Sequence, residues 1–211
     1  MNCEKVTSQI VDWLKKKATD AKVNGFVVGV SGGVDSALVS MLCARTGLQT
    51  VLVQLPIMRK EGEISNRASR HCTELFDKFT NVETYTHDLS DALNVFQSSA
   101  PINFSPLADA NLRSRLRMCS LYMFANTIGC MVVGTGNKVE DFGVGFFTKY
   151  GDGGVDISPI GELLKSEVRE LAKYLGVSLD IVNATPTDEL WADNRSDEDQ
   201  IGATYDELEK A

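Results

Sequence analysis

Hydrophobic positions along the chain alternate between short apolar runs and longer amphipathic stretches. In "SQIVDWLKKKA", Ile10, Val11 and Leu14 sit at helical spacing. "GFVVGV" is a continuous apolar run ended by glycines and reads as a buried strand. "DSALVSMLCARTG" predicts a helix ending at Gly47, and "TVLVQLP" a second strand stopped by Pro56. Over residues 61–79, Ile64, Ala68, Cys72, Leu75, Phe76 and Phe79 recur at steps of three and four, which predicts another helix. "VETYTHD" is a third strand, a long helix is predicted over about 106–127, and "GCMVVGTG" is a fourth strand with a glycine turn. "LLKSEVRELAKYLGV" predicts a helix capped by Gly176. The polar, acidic tail from Thr185 ("TPTDELWADNRSDEDQ") is expected to form a mobile loop.

Strands alternating with helices imply parallel crossovers and an α/β fold: a three-layer, doubly wound, Rossmann-like parallel sheet. Such sheets bind ligands at the carboxyl ends of their strands. "GVSGGVDS" and "GTGNKVED" both stand there, directly after a strand. A length of 211 residues fits one domain.

Charge and cysteine usage narrow the class. A net charge of −8 argues against broad binding to nucleic acid or anionic membranes. No apolar run approaches the roughly 20 residues of a membrane span, and the amphipathic N-terminus has no signal-peptide core. A cytoplasmic protein is expected. None of the five cysteines forms a CxxC pair, and the odd number argues against a disulfide framework. Cys43, Cys72, Cys119 and Cys130 are expected to be buried. His71 and His87 are the only histidines, so a zinc or His-triad site is poorly supplied.

"GVSGGVDS" carries the chemistry. Glycines after a strand let backbone N–H groups approach an anion, and the following helix N-terminus favours negative charge. Ser31 and Ser36 can donate to phosphate oxygens. There is no lysine, so GxxxxGK[ST] fails, and the spacing of GxGxxG is absent. Asp35 stands at the helix start instead. A carboxylate beside phosphates repels them unless a cation bridges the two, which points to Mg²⁺. Read without context, the loop could be a turn in which Asp35 or Ser36 merely caps the helix.

"SGGVDS" resembles the signature of the PP-loop ATP pyrophosphatases. "NLRSRLRM" (111–118), "GTGNKVEDFGVGFFTKYGDGGVDISPI" (134–160), "TPTDELW" (185–191) and "SDEDQIGATYDEL" (196–208) are similar to ammonia-dependent NAD synthetases, over roughly nine tenths of the chain. The resemblance implies an ATP- and Mg²⁺-dependent carbon–nitrogen ligase. It would amidate deamido-NAD with ammonia through an adenylated intermediate, releasing AMP and pyrophosphate. Such chemistry needs no Ser–His or Cys–His pair, because the nucleophiles come from the substrates and catalysis rests on positioning and charge neutralisation.

The resemblance also implies roles. Gly29, Val30, Ser31, Gly32, Gly33, Val34, Asp35 and Ser36 would hold ATP phosphates. Thr135, Lys165 and Thr187 would make further ATP contacts. Asp35 and Glu140 would ligate Mg²⁺, and Asp35 and Lys165 would be catalytic. Arg115, Lys149 and Asp156 would contact deamido-NAD. Taken singly, Glu140, Lys149, Lys165 and the alternating Arg113, Arg115 and Arg117 read as exposed surface charges, and "GDGG" as a plain turn. His87 reads as a structural or surface residue. Two departures from the family pattern stand out: one additional residue between Glu140 and Lys149, and no C-terminal His-Lys pair. A single domain over 1–211, lacking the family's C-terminal segment, is the corresponding expectation. The family resemblance further implies a homodimer, and free ammonia or a separate glutaminase chain as nitrogen source. The alternatives are another PP-loop adenylating amidotransferase or thiolase, and a non-catalytic nucleotide-binding descendant.

Overall fold

The chain, described from a computed structural model over residues 1–57, 63–187 and 196–210, builds a parallel sheet sandwiched between helices. Helix α1 (Cys3–Ala21) leads into strand β1 (Gly25–Gly29), followed by α2 (Val34–Ala44), β2 (Gln49–Gln54), α3 (Glu63–Lys78) and β3 (Val82–Thr86). Helices α4 (Ser90–Ser99) and α5 (Pro106–Ile128) then return the chain to β4 (Met131–Val133). Beyond β4 come a π-helix (Val139–Val144), α6 (Lys165–Tyr174), α7 (Leu179–Val182), α8 (Asp197–Ile201) and α9 (Tyr205–Leu208). The strand order is β3-β2-β1-β4 and every pairing is parallel. This is the predicted doubly wound α/β fold.

Alternation along the strands makes the three layers, because successive side chains point to opposite faces. Phe26 and Val28 of β1 join Leu14, Leu38, Leu42, Leu75 and Leu171 in one buried cluster with α1, α2, α3 and α6. Val27 joins Val51, Val53 and Val132 on the other face, under Leu93 of α4 and Ala125 of α5. Both faces are covered, which explains why the strands read as unbroken apolar runs. Helix α5 is bounded by local signals: Ser105 Oγ accepts from Ala108 N, Pro106 opens the first turn, and Gly129 ends it at φ 69°.

Several expectations change. Helix α4 is not among the predicted elements, since Leu93 is the one buried residue along it and leaves little period to read. Helix α2 ends at Ala44, before Gly47. Cys43, Cys72 and Cys130 are buried, but Cys119 lies on the outer face of α5 and is exposed. Phe76 is 55% exposed despite fitting the helical period of α3. The tail beyond Thr185 is partly helical. Its polar residues include two capping boxes, Ser196 with Asp199 and Thr204 with Glu207, which start α8 and α9. Residues 188–195 of that expected loop lie outside the described residues. Among the described residues no helix is long and apolar enough to cross a membrane.

Candidate active site

β1 and β4 are neighbours at the point where the sheet's winding reverses, the position at which doubly wound sheets bind ligands. The loop after β1 bends through Gly32 at φ 93°, a left-handed conformation that costs glycine nothing. Its two serines hold it together. Ser36 Oγ donates to Gly33 O (3.1 Å) and accepts from Ser31 N (3.2 Å), while the Ser31 and Ser36 hydroxyls lie 3.1 Å apart. Gly33 N donates to Ser31 Oγ (3.2 Å). The N-terminus of α2, with its unsatisfied amides, follows directly.

Asn137 joins this loop to the one after β4. Its side chain is fully buried. Nδ2 donates to Asp35 Oδ1 (3.1 Å), and Oδ1 accepts from Val139 N (3.1 Å) and Glu140 N (3.2 Å), starting the π-helix. The wider turn of a π-helix takes up one more residue than an α-turn.

Lys165, the first residue of α6, is 2% exposed. Its ammonium donates to Asp35 Oδ2 (2.6 Å) and Glu140 Oε1 (2.8 Å). Burial alone lowers a lysine pKa, but the charges and hydrogen bonds of Asp35 and Glu140 outweigh it and hold the amine above its ordinary value. Its Nζ also lies 4.9 Å from the ring centroid of Tyr205. The Tyr205 hydroxyl donates to Glu140 Oε1 (2.6 Å), with Asp197 Oδ2 at 3.4 Å. Burial and the Glu140 charge push this phenol above its usual range. Asp141, half-buried, is raised to about 6 by burial and by the charges of Glu140, Asp152 and Asp35.

Asp35, Glu140, Asp141, Lys165 and Asp197 line a cavity of about 550 Å³, a size that suits a nucleotide. Gly29, Val30, Ser31, Gly33, Val34, Asp35, Thr135, Glu140, Lys165 and Thr187 all line it. Gly32 and Ser36 do not, although they shape the loop that does. The donor set fits a hard cation. Two carboxylates already converge on one positive charge, and Mg²⁺ is commonly held by one or two carboxylates plus phosphates. Among the described residues no group of three or more His, Cys, Asp or Glu is arranged to hold a metal ion, so phosphate oxygens and water would complete the coordination.

The family model described as NAD synthase matches residues 6–211. A protein from Methanococcus aeolicus named "NH(3)-dependent NAD(+) synthetase" is 40% identical, and the match covers all of this chain and 82% of that one. The chain belongs to the NAD synthase family. Among solved structures, an NMN synthetase from Francisella tularensis superposes with a TM-score of 0.93 at 35% identity, over 100% of this chain and 85% of that one. An NH3-dependent NAD synthetase from Campylobacter jejuni superposes with a TM-score of 0.79 at 32% identity, over 86% and 77%.

The residues that the family resemblance ties to deamido-NAD stand apart from the Lys165 cluster. Arg115 Nε donates to Lys149 O (3.1 Å), so these two meet. Lys149 Nζ lies 5.1 Å from the ring centroid of Tyr150. Asp156 turns elsewhere: Oδ2 accepts from Val132 N (2.7 Å) and Oδ1 from the Tyr122 hydroxyl (2.9 Å). None of the three lines the cavity. Of the alternating arginines, Arg113 pairs with Asp109 and Arg117 Nε donates to Leu55 O beside the cavity. His87 Nδ1 lies 2.8 Å from Ser120 Oγ, in keeping with a structural role.

The "FFTKYGDGG" block is clamped to α5. Asp152 Oδ1 accepts from Ser114 Oγ (2.7 Å) and Thr148 N (3.0 Å), and Thr148 Oγ1 donates to Asn111 Oδ1 (2.7 Å). Gly151 is required by space, since a Cβ there would lie 2.2 Å from Ser114 Oγ. "GDGG" is thus more than a plain turn. Sequence reasoning missed Asn137, Tyr205, Asp197, Asp141 and Asp152. Asn137 and Tyr205 lay within the quoted motifs, but their type carried no chemical signal.

Proposed function

We propose that this chain catalyses ATP-dependent amidation of deamido-NAD with ammonia, giving NAD, AMP and pyrophosphate. The observation that carries the reading is the buried Lys165 held between Asp35 and Glu140, beside the glycine loop and lining the cavity. An oxygen of the nicotinate carboxylate attacks the α-phosphorus of ATP. The bond from that phosphorus to the α–β bridging oxygen breaks, and pyrophosphate leaves with the electron pair. Ammonia then attacks the carbonyl carbon of the acyl-adenylate, sheds a proton to solvent, and AMP departs.

The chain's own part is binding and charge. The glycine loop and the N-terminus of α2 would face the leaving pyrophosphate, where negative charge builds. Lys165 supplies a fixed positive charge against it. Asp35 and Glu140 would hold Mg²⁺, which neutralises phosphate charge when bound. Arg115 and Lys149 would meet the acceptor nucleotide. A homodimer belongs to the same reading, supported by Val95, Phe96, Ile102, Leu107 and Met123, apolar side chains exposed along α4, α5 and the segment between them. So do a single domain over the chain, a cytoplasmic location, and free ammonia or a separate glutaminase chain as nitrogen source.

A second reading follows from the likeness to an NMN synthetase: the same chemistry on nicotinate mononucleotide. The test supplies the purified protein with ATP, Mg²⁺, ammonium and either acceptor, and follows amide product and pyrophosphate. NAD formed only with all four components supports the first reading. Faster turnover of the mononucleotide favours the second. Pyrophosphate release without an acceptor, or no turnover of either, refutes both.

A further inference from the structure

We propose that Tyr205 is a positioning residue for Glu140: its hydroxyl holds one carboxylate oxygen so that the other is presented to the catalytic cation. The inference rests on the metal reading above. Glu140 receives two hydrogen bonds on the same oxygen, from Tyr205 Oη (2.6 Å) and Lys165 Nζ (2.8 Å), both to Oε1. Among the described residues no hydrogen bond reaches Oε2. Asp35 differs, with Lys165 on Oδ2 and Asn137 on Oδ1. Tyr205 and Lys165 together therefore fix which oxygen of Glu140 is left for a metal.

The arrangement is built into the fold. Tyr205 opens α9, is 3% exposed, and has its amide donated to Glu198 Oε1 (2.8 Å). Its ring also underlies the Lys165 ammonium. One rigid side chain thus holds the height of the lysine and the rotation of the carboxylate. A tyrosine hydrogen-bonded to a metal-ligating carboxylate orients that carboxylate, and loss of such partners typically weakens metal affinity about 10–100-fold.

The test is Tyr205→Phe, which keeps the ring and its packing. Mn²⁺ binding to the full chain is measured by electron paramagnetic resonance, with a non-hydrolysable α,β-methylene ATP analogue present. Tyr205→Phe is expected to weaken Mn²⁺ binding about tenfold and to raise the KM for Mg²⁺ similarly, with kcat at saturating Mg²⁺ within about threefold. The same change is then made in a Glu140→Gln background. There the carboxylate on which Tyr205 acts is already gone, and the change is expected to shift Mn²⁺ affinity by less than about twofold. A purely structural role would lower Tm and leave the Mn²⁺ affinity and the KM for Mg²⁺ unchanged, which overturns the proposal. An equal loss in both backgrounds overturns it too, because Tyr205 would then not act through Glu140. Failure of the wild-type chain to form NAD while Mn²⁺ binding follows the expected pattern would count against the reaction and not against Tyr205.

Discussion

Replacing Lys165 with methionine removes a buried charge while nearly conserving length. The side chains of Lys165, Asp35 and Glu140 are 3%, 17% and 15% exposed, so little water can replace the lost ammonium. Oxygens held 2.6 and 2.8 Å from one nitrogen can be no further apart than the sum of those distances, about 5.4 Å, and two charges at that distance repel by about 3 kcal/mol at an effective dielectric constant of about 20. Breaking buried ion pairs by removing one partner costs about 3–5 kcal/mol. The two figures agree, and in a domain of this size they correspond to a fall of about 6–20 °C in Tm at pH 8. The pH dependence separates charge from packing. In the wild type the lysine pKa is raised, so its contribution is fully present below the unfolded value of 10.5 and stays constant between pH 5 and 8. In Lys165→Met two carboxylates face each other with no counter-charge, and acidification, which neutralises carboxylates, relieves that repulsion. Chemical unfolding at pH 8 and pH 5, with and without millimolar Mg²⁺, is the assay. The deficit is expected to shrink at pH 5 and when Mg²⁺ is added. An identical loss under all conditions would mean that the cost is a packing defect, and would refute the electrostatic account.

Other perturbations probe the rest of the site. Arg115→Ala is expected to raise the KM for deamido-NAD about tenfold or more while leaving that for ATP within about twofold; steady-state kinetics with equal effects on both would move Arg115 out of the acceptor site. Asp141 has a folded pKa raised from 3.8 to about 6, so its penalty is complete above pH 6 and disappears as pH falls towards 4. Asp141→Asn in the metal-free protein is therefore expected to stabilise by about 1–2 kcal/mol at pH 8 and by nothing at pH 4, read from urea midpoints. Gly151→Ala forces a methyl group to within 2.2 Å of Ser114 Oγ; thermal unfolding is expected to show about 1–3 kcal/mol of destabilisation.

Local signals carried far. Strand positions were readable because a parallel sheet buries both faces, so β1, β2 and β4 stand out as apolar runs. Helix α5 was bounded closely by Ser105, Pro106 and Gly129, whose preferences act within one turn. The position of the glycine loop after β1 was readable for the same reason: backbone freedom and a helix N-terminus are local properties. Where burial supplied little pattern, as in α4, or where polar residues served as caps, as in α8 and α9, reading by period failed.

Residue order alone set the layered parallel architecture, the glycine loop after β1 and the residue types at the site's edge. Packing in three dimensions makes Lys165 a buried cation between Asp35 and Glu140, although these residues lie 130 and 25 positions away along the chain. It also decided that Asn137 ties the two loops together and that Tyr205 reaches back to Glu140. A lysine, an asparagine and a tyrosine carry no local mark of such roles. Their energetics come from charges and hydrogen bonds shared in a dry interior, and the dryness is made by the fold.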